Sequence, residues 1–279
     1  MDQRQAVEFA VREAWTDATR FQPLTPEDRE LYLRPGLVVL DPPLTHCARA
    51  DEKRQNWLNW RAASYPANRH AEYLFRRSDI GTDHPRILLS AVLDISAGLD
   101  CYLAQFNKKQ RYGVTGKKAV NAGYTTRDIY PPEHAADIWD IIHSSDQRQG
   151  RQIATTFHSR AKDYAFAEYQ PFTDPNYKDI CVGGFSPEGK MVAFILGKRV
   201  GDHVQYDEIM GHNDHLKLNV MFLTHYFFLQ RVLEQEVVPR CLNYGPWYSG
   251  ANAYSPEGGL NFWKRKTRFH PAYLISASS

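Results

Sequence analysis

The sequence predicts a mixed α/β protein whose largely antiparallel central sheet is flanked by helices and preceded by an N-terminal extension. Three observations carry that expectation. First, the apolar runs Ile180 to Phe185, Met191 to Arg199 and Val204 to Met210 are separated only by Ser186-Pro187-Glu188-Gly189 and by Gly201-Asp202, the residue types of tight turns between paired strands. Second, the stretch from Asn219 to Glu234 repeats apolar residues at helical spacing, with Val220, Leu223 and Phe227 on one row and Met221, Phe228 and Val232 on another. Third, the chain closes with a strand at Cys241 to Gly245, a short basic helix holding Leu260, Phe262, Trp263 and Lys264, and a last strand at Ala272 to Ile275.

The earlier elements follow in order. Residues 4 to 20 put Val7, Val11, Ala14, Trp15 and Ala18 on one helical stripe, and Thr25-Pro26-Glu27-Asp28 has the form of a capped helix start. Gly36 to Leu40 is a short apolar strand stopped by Pro42-Pro43. Trp57, Trp60 and Tyr65 are packing residues or an aromatic wall. Ile87 to Ser96 is a strand that opens the main sheet, so residues 1–86 are expected to be a region packing on a core formed by residues 87–279. From Gly98 a helix carries Leu99, Tyr102, Leu103 and Phe106, with Gly113 and Gly116 expected to break or bend it. Tyr124 to Tyr130 alternates as a strand, Pro131-Pro132-Glu133 starts another helix, and Ala136 to His143 is apolar at helical spacing. Residues 155 to 175, with five aromatics and two prolines, suggest a loop-like segment crossing a pocket.

Composition narrows the function classes. The chain has 279 residues, 43% hydrophobic and 24% charged, which are ordinary values for a folded protein. No apolar run approaches the roughly 20 residues that span a bilayer, and the N-terminus has neither signal- nor transit-peptide character, so a cytoplasmic location without a membrane partner is expected. Cys47, Cys101, Cys181 and Cys241 are widely separated and read as reduced thiols; no metal site is expected. There is no G-x-S-x-G elbow, H-E-x-x-H or dinucleotide fingerprint, which leaves hydrolase and oxidoreductase readings without a motif and makes covalent catalysis an unsupported route.

Net charge is only +2, yet the cations cluster. Lys108, Lys109, Arg111, Lys117 and Lys118 fall close together, and Lys264-Arg265-Lys266 with Arg268 forms a second group. Each is either a solvated helix face or a surface for the phosphates of RNA, with Tyr112 and Tyr124 near the first group as stacking candidates.

Leu242-Asn-Tyr-Gly-Pro-Trp247 and Gly259-Leu-Asn-Phe-Trp-Lys-Arg-Lys-Thr-Arg-Phe-His-Pro-Ala-Tyr-Leu274 resemble the C-terminal signature of the GNAT superfamily, a "G…FK…F.P" run that closes the sheet. Within it the chain is most similar to Fem-like transferases and aminoacyl-tRNA-protein transferases. Leu103 to Tyr124 is similar to the Fem-like basic helix leading into a "G-Y/F" strand, and Ser144 to Arg151, with Arg148 and Arg151, to their "S…R.G" segment. The resemblance covers residues 87 to 275. The N-terminal cysteine cluster common in aminoacyl-tRNA-protein transferases is missing, which counts against direct membership of that family.

The resemblance implies an acyltransferase that forms an amide bond by direct attack in a ternary complex. Acetyl-CoA-dependent members place a glycine-rich loop before the central helix, where bare backbone N–H groups can surround a pyrophosphate. Here the stretch is Gly211-His-Asn-Asp-His-Leu-Lys-Leu-Asn219, with one glycine and an aspartate. The expected donor is therefore aminoacyl-tRNA bound through its acceptor end, with acyl-CoA as the alternative, no tightly bound cofactor, and a small-molecule or peptide amine as acceptor.

In such a fold the donor parts two central strands, expected to be Val204 to Met210 and Cys241 to Gly245. Asp207 and Glu208 lie on the first, on opposite faces if the strand alternates, and each is either a general base or the partner of a cation such as Arg231 or Arg240. His212 and His215 follow the strand and could shuttle a proton. Tyr248 is the candidate for protonating the leaving group, and Tyr206, Tyr244 and Trp247 for lining the acceptor pocket. Lys217 and Asn219 could hold a phosphate or terminal adenosine, Asn219 being also an ordinary helix cap.

Overall fold

The computed structural model describes residues 36–40, 87–145, 147–148, 151–152, 173–174, 177–200, 203–246 and 262–276. The two N-terminal helices, the aromatic segment of residues 155–172 and the residues Trp247 and Tyr248 lie outside them. By its contacts the chain divides into two compact units, Met1–Leu93 with Asn243–Ser279, and Asp94–Leu242. The division falls inside the segment that the sequence suggests as one domain.

In the first unit, β1 (Gly36–Leu40) runs parallel to β11 (His270–Ser276), and β11 runs antiparallel to β2 (Ile87–Asp94). Helix α6 (262–266) precedes β11. Lys264, read from the sequence as part of a basic helix face, is buried instead, with its ammonium 5.0 Å from the centre of the Tyr244 ring. Trp263 and Phe269 meet the same ring at 5.4 and 5.7 Å.

The second unit is built on an antiparallel sheet in the order β9-β8-β7-β3, formed by β3 (Thr125–Asp128), β7 (Tyr177–Phe185), β8 (Met191–Val200) and β9 (His203–Gly211). The turn between β7 and β8 forms where the sequence places it, closed by Ser186 N–H donating to the Lys190 carbonyl. Two small pieces flank the sheet: β6 (Thr173–Asp174) pairs with β7, and β4 (Gln147–Arg148) with β5 (Arg151–Gln152) makes a hairpin.

Helices cover both faces of this sheet. Helix α5 (Val220–Leu233) packs Val220 and Leu223 with Ala193, while α4 (Ala135–His143) packs Ile138, Ile141 and Ile142 with Phe194. Ala193 and Phe194 are successive residues of β8, and successive side chains of a strand leave from opposite faces, so the two helices lie on opposite sides. The α5 stripe forms much as its spacing predicts, with Val220, Leu223, Phe228 and Val232 buried. Phe227 is only half-buried and lies under the Arg231 guanidinium at 4.6 Å.

Helix α5 also buries His225 fully, and burial pushes its imidazole pKa down to about 3. Tyr206 of β9 stacks on this imidazole at 6.1 Å and tilts against Phe228 at 4.8 Å. Across from Tyr206, Gly197 of β8 lets Phe228 come close: a Cβ built there would stand 2.5 Å from Phe228 Cζ. Gly197→Ala is expected to lower unfolding free energy by about 1–3 kcal/mol, the usual cost of overpacking a close-packed core. Urea denaturation measures it, and an unchanged midpoint would contradict this account of the packing.

Between β2 and β3 the chain forms three short helices, α1 (Gly98–Ala104), α2 (Lys108–Val114) and α3 (Lys117–Asn121). The break after α1 comes at Asn107, whose side chain accepts from Gln110 N–H while Gln110 caps Asn107 in return. Gly113 sits inside α2 without breaking it, contrary to the sequence expectation. Gly116 does make the break, with φ +67° and the backbone of Leu223 so near that a Cβ would stand 2.4 Å from it.

Candidate functional site

The sequence singles out Asp207 and Glu208 as carboxylates on opposite faces of a strand, and a bulge changes that. Leu196 pairs with Glu208, but Gly197 pairs with Tyr206, so Asp207 is an extra residue in β9. Leu196 packs on the α4 side, and Lys198, two residues on, shares its face. Glu208 sits opposite Leu196, and Asp207 accepts from Lys198 Nζ at 2.5 Å, so both carboxylates project from the α4 face. The ion-pair partner of Asp207 is thus Lys198 and not Arg231, which instead bridges Asp128 at 2.9 Å and Glu234. Burial alone would lower the Lys198 pKa, but the Asp207 carboxylate, helped by Asp179 opposite it on β7, holds it above its ordinary value.

At the far end of β9 a second polar group assembles. His212 is held by its N–H to the Val192 carbonyl at 2.7 Å, and its Nδ1 accepts from Asp214 N–H at 3.4 Å. Its Nε2 faces Asp140 of α4 at 3.6 Å, and Lys190 donates to that same carboxylate at 2.7 Å. His215 lies edge-on to His212 with ring centres 5.3 Å apart, and its Nδ1 is 2.6 Å from the Tyr124 hydroxyl. Burial, and then the charge of His212, lowers the His215 pKa; burial, and then the Glu188 charge, raises that of Tyr124. Ser144 Oγ accepts from Asn213 N–H at 3.0 Å and ties the loop to the end of α4.

Asp207 and His212 therefore separate. Asp207 and His212 are five residues apart on an extended strand, about 16 Å at the usual rise, too far to act on one reacting atom. Tyr206 belongs to the core beneath α5. Tyr244 is half-buried among Trp263, Phe269 and Lys264 in the other unit. Arg148 and Arg151 face each other in the β4–β5 hairpin, described by its backbone. The partners Asp140, Lys190 and Tyr124 of the histidine pair carry no sequence signal toward it, because each arrives from a different element.

One cation of α3 reaches the histidine loop. Lys118 Nζ donates to the Lys217 carbonyl at 2.9 Å, and Lys108, Lys109, Lys117, Lys118 and Lys217 are all exposed. Arg111 differs from them, since its Nε donates to the Leu103 and Phe106 carbonyls and ties down the end of α1. Among the described residues no group of three His, Cys, Asp or Glu is placed to hold a metal, and no helix is long and apolar enough to cross a membrane.

No protein-family model matches the sequence, and no curated protein sequence matches it. Solved structures do match. FemX aligns with a TM-score of 0.52 and 11% identity, over 86% of this chain and 79% of that one. The chain has the GNAT fold. L-PGS from Bacillus licheniformis aligns with a TM-score of 0.44 and 18% identity over 72% of this chain, and the tandem GNAT protein from the clavulanic acid biosynthesis pathway with 0.39 and 15% over 71%. The matched part amounts to 63% and 55% of those two chains.

In this GNAT fold the segment before the central helix α5 is a 3-10 helix, Asn213–Leu218. Asn219, expected to cap α5, makes no side-chain cap; it turns the chain at φ +64°, a left-handed conformation that asparagine tolerates better than most residues. The single glycine of the segment serves packing. A Cβ on Gly211 would stand 2.6 Å from Met221 Sδ and 2.8 Å from Leu216 Cδ2.

Proposed function

We propose that the protein is an acyltransferase that moves an aminoacyl group from aminoacyl-tRNA to an amine, by direct attack of the amine on the ester carbonyl. The observation that carries this reading is the segment Gly211–Asn219, whose one glycine is crowded by Leu216 and by Met221 of α5 and which carries Asp214, whereas acetyl-CoA-dependent members of the superfamily present bare glycines there. The adjoining lysines of α2, α3 and the loop supply the opposite property, an extended cationic surface suited to a polynucleotide phosphate backbone. The Fem-like likeness of the sequence and the fold match to FemX point the same way.

In the proposed reaction the amine nitrogen forms a bond to the ester carbon, the ester C–O bond breaks, and the proton lost by the nitrogen ends on the departing ribose oxygen. His212, beside the lysines and oriented by Asp140, is the group assigned to carry that proton; the Oδ2 of Asp207 is occupied by Lys198. Tyr248 remains the proposed partner for the leaving oxygen. A small-molecule or peptide amine is the acceptor class.

Incubation with charged tRNA and a panel of amines is expected to consume the ester and form an amide. Replacing Lys108, Lys109, Lys117 and Lys118 by glutamine should weaken tRNA binding and flatten its dependence on salt, by roughly 0.7–0.9 in logarithmic slope for each phosphate contact removed. Absence of tRNA binding even at low salt sinks the proposal. Acyl-CoA is the competing donor, and a thermal-shift titration distinguishes it, because saturation to a hundred times the dissociation constant adds about 2.7 kcal/mol of stability.

A further inference from the structure

Tyr124 has two surroundings. Its ring is buried against Ala119, Val192, Ala193, Val220 and Leu223, while its hydroxyl leaves that cluster to meet His215 Nδ1 at 2.6 Å. From there a line of polar groups runs across the loop: the His215 ring edge-on to His212, the His212 Nε2 toward Asp140, and Asp140 bonded to Lys190. The groups facing His215 are Tyr124 before β3, Glu188 and Lys190 on the β7–β8 turn, and His212 and Asp214 on its own loop, with Asp140 of α4 reached through His212.

The two histidines are not equivalent in this line. His212 has a carboxylate beside its outer nitrogen, so a proton there is matched by a negative charge. His215 has a phenol on Nδ1, which keeps its proton at neutral pH and can donate it to a bare Nδ1 or accept from a protonated one. A hydrogen bond donated to Nδ1 leaves the imidazole hydrogen on Nε2, since the bond made by one ring nitrogen decides the state of the other.

We infer that Tyr124 is a positioning residue of the site: its hydrogen bond holds His215 as the neutral Nε2–H tautomer, so that the proton taken up by the histidine pair resides on His212 beside Asp140. This rests on the transferase reading for its purpose, since it is His212 that the proposed reaction uses. The hydrogen bond spans 91 residues of sequence and joins the loop to the start of β3, so the loop cannot shift without moving this tautomer lock.

Long-range proton–nitrogen correlation spectra of the full chain, without any substrate, read the tautomer directly. The expected wild-type result is an unprotonated Nδ1 and a protonated Nε2 on His215. In Tyr124→Phe, which keeps the buried ring, His215 is expected to lose its fixed tautomer and to show a mixture of the two neutral forms. A wild-type His215 protonated at Nδ1, or spectra unchanged in Tyr124→Phe, overturns the inference; the first of these needs no variant, so a poorly folding Tyr124→Phe leaves it open to refutation. A locked tautomer in a protein that acylates no amine would end the transferase reading and leave the lock standing, whereas transfer activity without the lock would do the reverse.

Discussion

Replacing His212 by glutamine is expected to slow amide formation about 10²- to 10⁴-fold, the range typical of losing one positioned acid–base group. The loss should fall on kcat, with binding of the charged tRNA nearly unchanged, because the lysines proposed to meet phosphates are other residues, on α2, α3 and at Lys217. Asp140→Asn should produce a smaller loss and shift the pH dependence of kcat, since Asp140 acts on the reaction only through His212. Its ion pair with Lys190 is exposed on both sides, so little stability should go with the loss of that pair. Single-turnover measurements with preformed aminoacyl-tRNA separate the chemical step from binding. A His212→Gln enzyme with unaltered single-turnover rate would remove His212 from the mechanism and return attention to the carboxylates of the β9 bulge.

A second large effect is expected from acid. His225 is fully buried on α5, and its pKa is lowered by burial to about 3. In the unfolded chain it would titrate near 6.5, so between the two values the unfolded state binds one proton more than the folded state. Stability contributed by the neutral imidazole is therefore present above pH 6.5 and is lost as the pH falls below it, by about 1.4 kcal/mol per pH unit, reaching roughly 3 kcal/mol at pH 4. Urea denaturation of the wild type and His225→Leu at a series of pH values isolates this term, because carboxylate titrations are common to both. The wild-type curve should fall more steeply by that amount. Parallel curves would show that His225 is solvated or protonated in the folded protein.

The succession β7, β8, β9 was legible because its determinants are local, whereas the pairing of β3 with β7 was not read from the sequence. Turn residues at Ser186 to Gly189 and the apolar rows of α5 each act within a few positions, and they placed β7, β8, β9 and α5 to within a few residues. The bulge at Asp207 was not legible, because nothing in Tyr206-Asp207-Glu208 signals a register shift that depends on Gly197 in the next strand. Reading strict alternation there put two carboxylates on opposite faces when the bulge turns both to the α4 face. The candidate site was half visible. His212 and His215 stood out in a loop after a strand, but Tyr124, Asp140 and Lys190 reach them through tertiary packing alone, from three elements distant in sequence. Lys264 misled for the converse reason, since a run of four cations in five residues suggests water on every side and one of them is buried beside the Tyr244 ring.

Gly116 bears on how a bound polymer would be felt inside the protein. With no side chain between them, the turn joining α2 to α3 rests directly on the main chain of Leu223, and close-packed backbone does not compress. A pull on the lysines on either side of that glycine is thus delivered to the first turn of α5, a few residues beyond the histidine loop. If the lysines grip a long anionic chain as proposed, that grip and the aim of the imidazoles would share one mechanical joint.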